Sequence, residues 1–145
     1  MSKTDKDIEQ ELQTKIIQMR YLEEYLEDLA NRESMAVTTL NDIQNAEETI
    51  SELSKGKDLD TMVYIGGGMY TSSKINITKK VLVNVGYNIV VEKTLQNAQT
   101  FLQDRKKEIR TALGDLSQQR QQAAYALQTL RADVENTLRR RQSEQ

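Results

Sequence analysis

Residues Thr61 to Glu92 read TMVYIGGGMYTSSKINITKKVLVNVGYNIVVE, a segment rich in β-branched and aromatic residues. Apolar and polar residues alternate with a period of two from Lys74 to Thr78 and from Val81 to Val85, as in strands with one buried face. Glycines at 66–68 and at 86 mark turns. The segment predicts two β-hairpins, built from strands 61–66, 69–78, 81–86 and 87 or 88 to 92. The second hairpin turns either through Thr78–Lys80 or at Gly86.

Strands this short cannot close a barrel or cover their own edges, and small open sheets with unpaired edges are unstable or adhesive. We therefore expect them to pair with strands of sister subunits, which makes this segment an oligomerisation device. The residues predicted to take part are Val63, Ile65, Gly66, Gly68, Ile75, Ile77, Val81, Val83, Val85 and Ile89.

The chain before the strands, from about Asp7 to Ser54, carries apolar residues at alternating steps of four and three. Ten of its 13 seam positions are apolar, which is the pattern of a coiled-coil helix. The d positions are Ile8, Lys15, Leu22, Leu29, Ala36, Ile43 and Ile50, and the a positions are Leu12, Met19, Leu26, Glu33, Leu40 and Glu47.

The chain after the strands, from about Glu92 to Arg141, repeats the pattern, with nine of 13 seam positions apolar. Its d positions are Leu95, Leu102, Ile109, Leu116, Ala123, Leu130 and Thr137, and its a positions are Gln99, Lys106, Leu113, Arg120, Leu127 and Val134. Both helices would be about 70 Å long. Equal lengths on either side of a connector predict that the two fold back on each other as an antiparallel coiled coil.

The composition excludes several classes of function. The chain has no cysteine and no histidine, which removes disulfides, thiol nucleophiles, the usual zinc sites and the commonest general base. Its 20 basic and 22 acidic residues are mixed along the length, so a nucleic-acid partner is not expected. The run Arg139–Arg141 is interpreted as a solvated helix end. Without an apolar run long enough to span a membrane or an N-terminal signal, we expect a cytoplasmic protein.

Two motifs that could carry chemistry are set aside. The glycines at 66–68 are followed by a strand and by no Gly-Lys-Ser or Gly-Lys-Thr, so they form a turn and not a phosphate-binding loop. Glu23 with Glu24, and Glu47 with Glu48, are neighbours that point about 100° apart on a helix, so they do not form a proton-sharing pair. The chain is therefore not expected to be an enzyme, and no cofactor or metal is predicted.

The order of parts and the central segment resemble the α-class subunits of the prefoldin (GimC) chaperone family. Val63 to Gly68 forms a V-x-[IV]-G-x-G turn, and Val83 to Gly86 forms a V-x-V-G strand about 20 residues later. Four strands fit the α class, because β-class subunits of that family have a single hairpin. The resemblance implies a hexamer of two α and four β subunits, whose hairpins build a β-barrel between subunits. It also implies that the coiled coils hold unfolded proteins and pass them to a group II chaperonin without ATP.

In an antiparallel coiled coil the two chain termini lie together, at the tip farthest from the strands. Here the apolar stripe is broader than a seam requires, and polar Lys15 and Thr137 interrupt the d positions, so apolar atoms are left for an outside chain. The same residues could merely complete the seam, and Tyr21, Tyr25 and Tyr125 could either pack on it or contact clients. The predicted client-binding residues are Ile8, Leu12, Ile16, Ile17, Met19, Leu127, Leu130, Val134 and Leu138.

The sequence therefore predicts a mainly helical α+β fold, a long antiparallel two-helix coiled coil with two central β-hairpins. Its predicted parts are an N-terminal coiled-coil helix at 1–55, the oligomerisation hairpins at 56–92 and a C-terminal coiled-coil helix at 93–145. The alternatives to a chaperone subunit are a structural coiled-coil adaptor with one fixed partner, and a homo-oligomeric, filament-forming relative.

Overall fold

Two long helices and two β-hairpins make up the chain. The computed structural model describes the backbone of residues 3–143 and the side chains of residues 6–142. The elements are α1 (Lys3–Ser54), β1 (Leu59–Gly66), β2 (Met69–Ile75), β3 (Lys80–Gly86), β4 (Ile89–Thr94) and α2 (Leu95–Ser143). The predicted fold class, two long helices with two central hairpins, is confirmed. The predicted helical parts 1–55 and 93–145 include residues 1, 2, 144 and 145, which lie outside the described residues, and as a division into domains they stay a prediction.

The helix ends next to the hairpins have local causes. After Ser54, Gly56 takes a left-handed φ of 68° and its N–H donates to the Leu53 carbonyl at 3.3 Å. This is the glycine stop expected from the sequence, because only glycine adopts that conformation without steric cost. At the start of α2, the Thr94 hydroxyl accepts a hydrogen bond from the Asn97 N–H at 3.2 Å. Thr94 therefore caps the helix, which begins three residues later than Glu92.

Each hairpin is a separate two-stranded antiparallel sheet. β1 pairs with β2 from Leu59 opposite Ile75 to Tyr64 opposite Tyr70, and β3 pairs with β4 from Lys80 opposite Thr94 to Asn84 opposite Val90. In both, the register shifts by one residue at the glycine that precedes the turn, Gly66 or Gly86. The turn of the second hairpin is therefore at Gly86, and not at Thr78–Lys80.

The strand predicted to reach Thr78 ends at Ile75. Just beyond it, the Ile77 N–H donates to the Asp58 carboxylate at 3.1 Å, so this backbone group leaves the strand ladder. The Thr78 hydroxyl donates to the Lys80 carbonyl at 2.8 Å, which bends the chain between the hairpins. The alternation of apolar and polar residues therefore extends to Thr78, whereas strand pairing ends at Ile75.

The chain divides into two compact units. The terminal unit comprises the residues up to Val37 and those from Thr111 onward, and the central unit is Thr38–Arg110. The core of the terminal unit is the buried cluster Leu29, Leu116 and Ala123, against which Leu22 and Leu26 pack. The buried apolar residues of the central unit are Ile43, Ile50, Leu53 and Ala98.

The coiled-coil seam follows the predicted heptads closely. All 13 predicted seam positions of α1 are buried or half-buried, and so are 12 of the 13 in α2. Arg120 is the exception and is exposed. Its guanidinium lies 3.3 Å from the Glu33 carboxylate, across the seam. The heptad pattern of each helix therefore predicts nearly every seam residue correctly.

Candidate functional site

Two ion pairs occupy seam positions that the heptad pattern leaves polar. In the central unit, Lys106 Nζ lies 2.6 Å from Glu47 Oε2, and both side chains are at most one quarter exposed. In the terminal unit, the Arg120 and Glu33 side chains form the equivalent pair at 3.3 Å. Each pair joins an a position of α1 to an a position of α2. Polar groups inside the seam thus meet partners of opposite charge and are not left unsatisfied.

A third polar contact crosses the seam near the chain termini. Lys15 Nζ donates to the Thr137 hydroxyl at 3.2 Å and to Glu11 Oε1 at 2.7 Å. Thr137 is only 1% exposed, and its hydroxyl donates to the Asp133 carbonyl at 2.8 Å while also accepting from Arg140 at 3.4 Å. The hydroxyl therefore uses its one donor and both acceptor positions. Lys15 and Thr137 close the seam, contrary to the sequence argument that they loosen it.

The same cluster sets the charge state of Glu11. The hydrogen bond from Lys15 and the positive charge of Lys15 lower the pKa of the Glu11 carboxyl; desolvation opposes them, and the charge of Arg140 adds a weaker lowering. Arg140 lies 3.8 Å from Glu11. The carboxylate is thus held in its ionised form, in which it serves as the acceptor for Lys15.

The predicted client-binding residues divide by exposure. Leu12 and Leu127 are buried at 6% and 7%, so they complete the seam. Ile8, Met19, Leu130 and Val134 are half-buried. Only Ile16, Ile17 and Leu138 are substantially exposed, at 49%, 54% and 43%. These three side chains are the part of the predicted set that an outside chain can reach.

Ile16 and Leu138 flank the seam on the same side. Arg131 and Glu23 form an ion pair at 2.9 Å between the two helices on this side. Ile16 lies seven residues before Glu23 and Leu138 seven residues after Arg131, so antiparallel pairing places them at matching positions one heptad away. The resulting apolar pair lies directly beside the Lys15–Thr137 contact in sequence. The terminal unit therefore exposes a local apolar surface next to a closed seam.

The hairpins carry the largest concentration of exposed apolar groups. Among residues 6–142, 21 large hydrophobic side chains are exposed, and 13 of them lie between residues 62 and 91. Among the predicted oligomerisation residues, five large hydrophobic side chains are exposed: Val63, Ile65, Ile77, Val85 and Ile89. Ile75, Val81 and Val83 are half-buried, while Gly66 and Gly68 have φ of 102° and 79° in the first turn.

The sequence analysis missed the opposite face of each hairpin. Met62, Tyr64 and Tyr70 share one face of the first hairpin, where the two tyrosine rings lie 5.2 Å apart, and Leu82 and Val90 share a face of the second. All five are at least 55% exposed. The signal was present, because these apolar residues occupy the alternate positions that an ordinary half-buried strand would fill with polar ones.

Comparison with known proteins identifies the family of this chain. The family model described as "Prefoldin subunit" matches residues 22–140. The chain belongs to the prefoldin family. Curated relatives named prefoldin subunit alpha include one from Nitrosopumilus maritimus, 38% identical with 81% of each chain covered, and one from Saccharolobus solfataricus, 31% identical with 75% of each covered. The resemblance to α-class prefoldin subunits is confirmed.

A solved structure shares the fold. The cryo-EM structure of filamentous PFD from Methanocaldococcus jannaschii aligns with a TM-score of 0.64 at 23% identity, covering 79% of this chain and 95% of that one. Prefoldins are non-enzymatic chaperones that assemble from several subunits. Within residues 3–143, no helix combines the length and apolarity of a membrane span, and no group of acidic residues is arranged to hold a metal ion.

Proposed function

We propose that this chain is the α-class subunit of a cytoplasmic, ATP-independent prefoldin that holds unfolded polypeptides and delivers them to a group II chaperonin. The observation that carries the proposal is the exposed surface of Ile16, Ile17 and Leu138, which are 43–54% exposed beside a seam that is already closed. Since the seam does not need these side chains, their exposure costs solubility without stabilising the coiled coil. A function in weak binding of apolar segments from unfolded chains explains why these side chains remain exposed despite that cost.

The assembly we propose is a hexamer of two α and four β subunits joined through the hairpins. Support comes from the 13 exposed large hydrophobic side chains between residues 62 and 91 and from the unpaired edges of both two-stranded sheets. Mass measurement of the purified chain, alone and with a β-class partner, tests this directly. A hexamer that forms only on mixing supports the proposal, whereas long homo-oligomers of the chain alone would identify a filament-forming relative.

Client holding is tested by light scattering of a denatured protein diluted into the assembled complex without nucleotide. We expect scattering to be suppressed, and we expect the triple variant Ile16→Ser, Ile17→Ser, Leu138→Ser to lose most of that suppression. The matched control is Met35→Ser with Tyr125→Ser, which also removes apolar groups that are 71% and 73% exposed. Equal loss in both variants would show that client binding does not depend on the proposed surface. Unchanged scattering with the wild-type complex would refute holding altogether.

A further inference from the structure

The terminal unit has a groove on the flank of the seam opposite to Ile16 and Leu138. Its volume is about 500 Å³, and its lining includes the half-buried Leu22 and Leu130, with Tyr21, Ala126 and Asp133 around them. The small Ala126 side chain leaves space beside the Tyr21 ring that a larger residue would fill. All the lining residues belong to the terminal unit.

Two tyrosines on this flank behave differently. The Tyr25 hydroxyl donates to Gln119 Oε1 at 3.2 Å, which ties its ring across the seam and leaves it 42% exposed. Tyr21, one turn earlier, is 69% exposed and has no polar partner among the described residues. Tyr25 thus has a structural role, whereas the Tyr21 ring lines the groove and remains exposed to solvent.

Asp133 gives the groove a charge. Among residues 6–142, no lysine or arginine forms an ion pair with its carboxylate, and only its backbone carbonyl is engaged, by Thr137. Two cations of the terminal unit, Lys15 and Arg140, contact the Thr137 hydroxyl at 3.2 and 3.4 Å. Both form their ion pairs with Glu11, at 2.7 and 3.8 Å, and not with Asp133. The groove therefore combines an apolar base, an aromatic face and one carboxylate that has no ion-pair partner among residues 6–142.

We propose that this groove is a client subsite that binds an apolar side chain adjoining a lysine or arginine in an unfolded polypeptide. The apolar side chain contacts Leu22 and Leu130, and the cation lies between the Asp133 carboxylate and the face of the Tyr21 ring. The proposal rests on the proposed chaperone function and adds a chemical preference to it. Clients would be held here by a pair of neighbouring residues, and not by apolar character alone.

The test uses the assembled complex and three fluorescent disordered peptides of equal length. The peptides are identical except that the residue beside a leucine pair is lysine, glutamine or glutamate. Because an exposed ion pair contributes little, we expect the lysine peptide to bind roughly threefold more tightly than the glutamine peptide, and the glutamate peptide to bind more weakly than both. Fluorescence anisotropy measures all three.

Two pairs of variants separate the groove from general electrostatics. Asp133→Asn should abolish the preference for lysine, while Asp115→Asn, an exposed acid on the same helix and in the same unit, should keep it. Tyr21→Ala should weaken all three peptides, while Tyr125→Ala, 73% exposed, should not. Circular dichroism melting of each variant verifies that the coiled coil is intact.

The outcomes distinguish the subsite from the proposed function. A lysine preference that survives Asp133→Asn, or that disappears equally in Asp115→Asn, overturns the subsite. Equal binding of all three peptides with aggregation suppression intact also overturns the subsite but leaves the holding function standing. Failure of every peptide to bind, together with unsuppressed aggregation, overturns both.

Discussion

The two hairpin turns use different residues in the same backbone geometry. Gly67 and Gly68 turn the first hairpin with φ of 58° and 79°, and Tyr87 and Asn88 turn the second with φ of 50° and 59°. Positive φ at both positions is the combination of the type I′ turn, which favours glycine and asparagine. A tyrosine there is strained by its Cβ, and Tyr87 is also 99% exposed. The isolated chain gains nothing visible from this ring.

Replacing the strained turn should stabilise the second hairpin. We expect Tyr87→Asn with Asn88→Gly to raise the free energy of hairpin opening by about 1 kcal/mol, since both new residues suit a left-handed backbone. Amide hydrogen exchange of β3 and β4 in the isolated chain measures it. Asn76→Gly, at a position without positive φ, should instead lower stability. If amide exchange becomes slower in neither β3 nor β4, the turn of the wild-type chain is not strained.

The lowered pKa of Glu11 predicts a pH dependence of the terminal unit. Because the carboxyl pKa is lower in the folded chain, the unfolded chain binds more protons between the two pKa values. The stabilisation is therefore complete above the unfolded-state pKa and is lost as the pH falls through the folded-state pKa. We expect Glu11→Gln to melt at a lower temperature than wild type at neutral pH, and the difference to vanish in acid. A difference in melting temperature that persists unchanged in acid would show that the effect comes from packing and not from the Glu11 charge. The control is Asp104→Asn, which removes an exposed carboxylate elsewhere in the chain.

Among the helices, the Lys106–Glu47 ion pair differs from an ordinary surface ion pair of a coiled coil in its burial. The Glu47 and Lys106 side chains are 17% and 25% exposed, so neither charge is fully hydrated. A shift of one helix by a heptad would separate the two charges and place one of them against an apolar residue, Lys106 against Leu40 in one direction or Glu47 against Leu113 in the other. Within the central unit the pair therefore favours one antiparallel register.

Breaking this pair should cost more than removing it. We expect Lys106→Leu alone to lower the free energy of unfolding by about 1–3 kcal/mol, because Glu47 is left partly buried without a partner. Adding Glu47→Leu should recover most of that loss, since two leucines pack well at facing a positions. Urea denaturation of the two variants measures both values. A double variant as unstable as the single one would mean that the ion pair itself, and not the unpaired charge, dominates.

The seam shows which structural features of a coiled coil can be predicted from the sequence and which cannot. The heptads identified the contact face of each helix, because the period of 3.5 residues is a local property of each segment. They did not identify which residues meet, since Lys15 with Thr137 and Lys106 with Glu47 depend on a register between helices. The tip residues, in contrast, could have been separated from the heptads alone, since the buried Leu12 is an a position and the exposed Ile16 lies one residue beyond a d position.

At the scale of the whole molecule, the hairpins are the least self-sufficient part of the chain. Isolated two-stranded sheets are at best marginally stable in water, and these two expose apolar side chains on both faces. Sheets covered on both faces have apolar residues at consecutive positions, as Met62 to Ile65 do here. The exposed hairpin faces are thus suited to burial between subunits, which agrees with the family's multi-subunit assembly.

The face containing Tyr64 and Tyr70 provides the decisive variant for assembly. The two rings are directly opposite each other in the register of the first hairpin, and each is 59% exposed. We expect Tyr64→Ser with Tyr70→Ser to leave the helical circular dichroism of the isolated chain unchanged, because α1 and α2 carry that signal. On mixing with a β-class partner, mass measurement should then find unassembled subunits. Met35→Ser with Tyr125→Ser, which alters exposed residues of the helices, should assemble normally. If the double tyrosine variant still forms the complete complex, assembly does not depend on this face, and the opposite face of the first hairpin or the second hairpin must supply the contact.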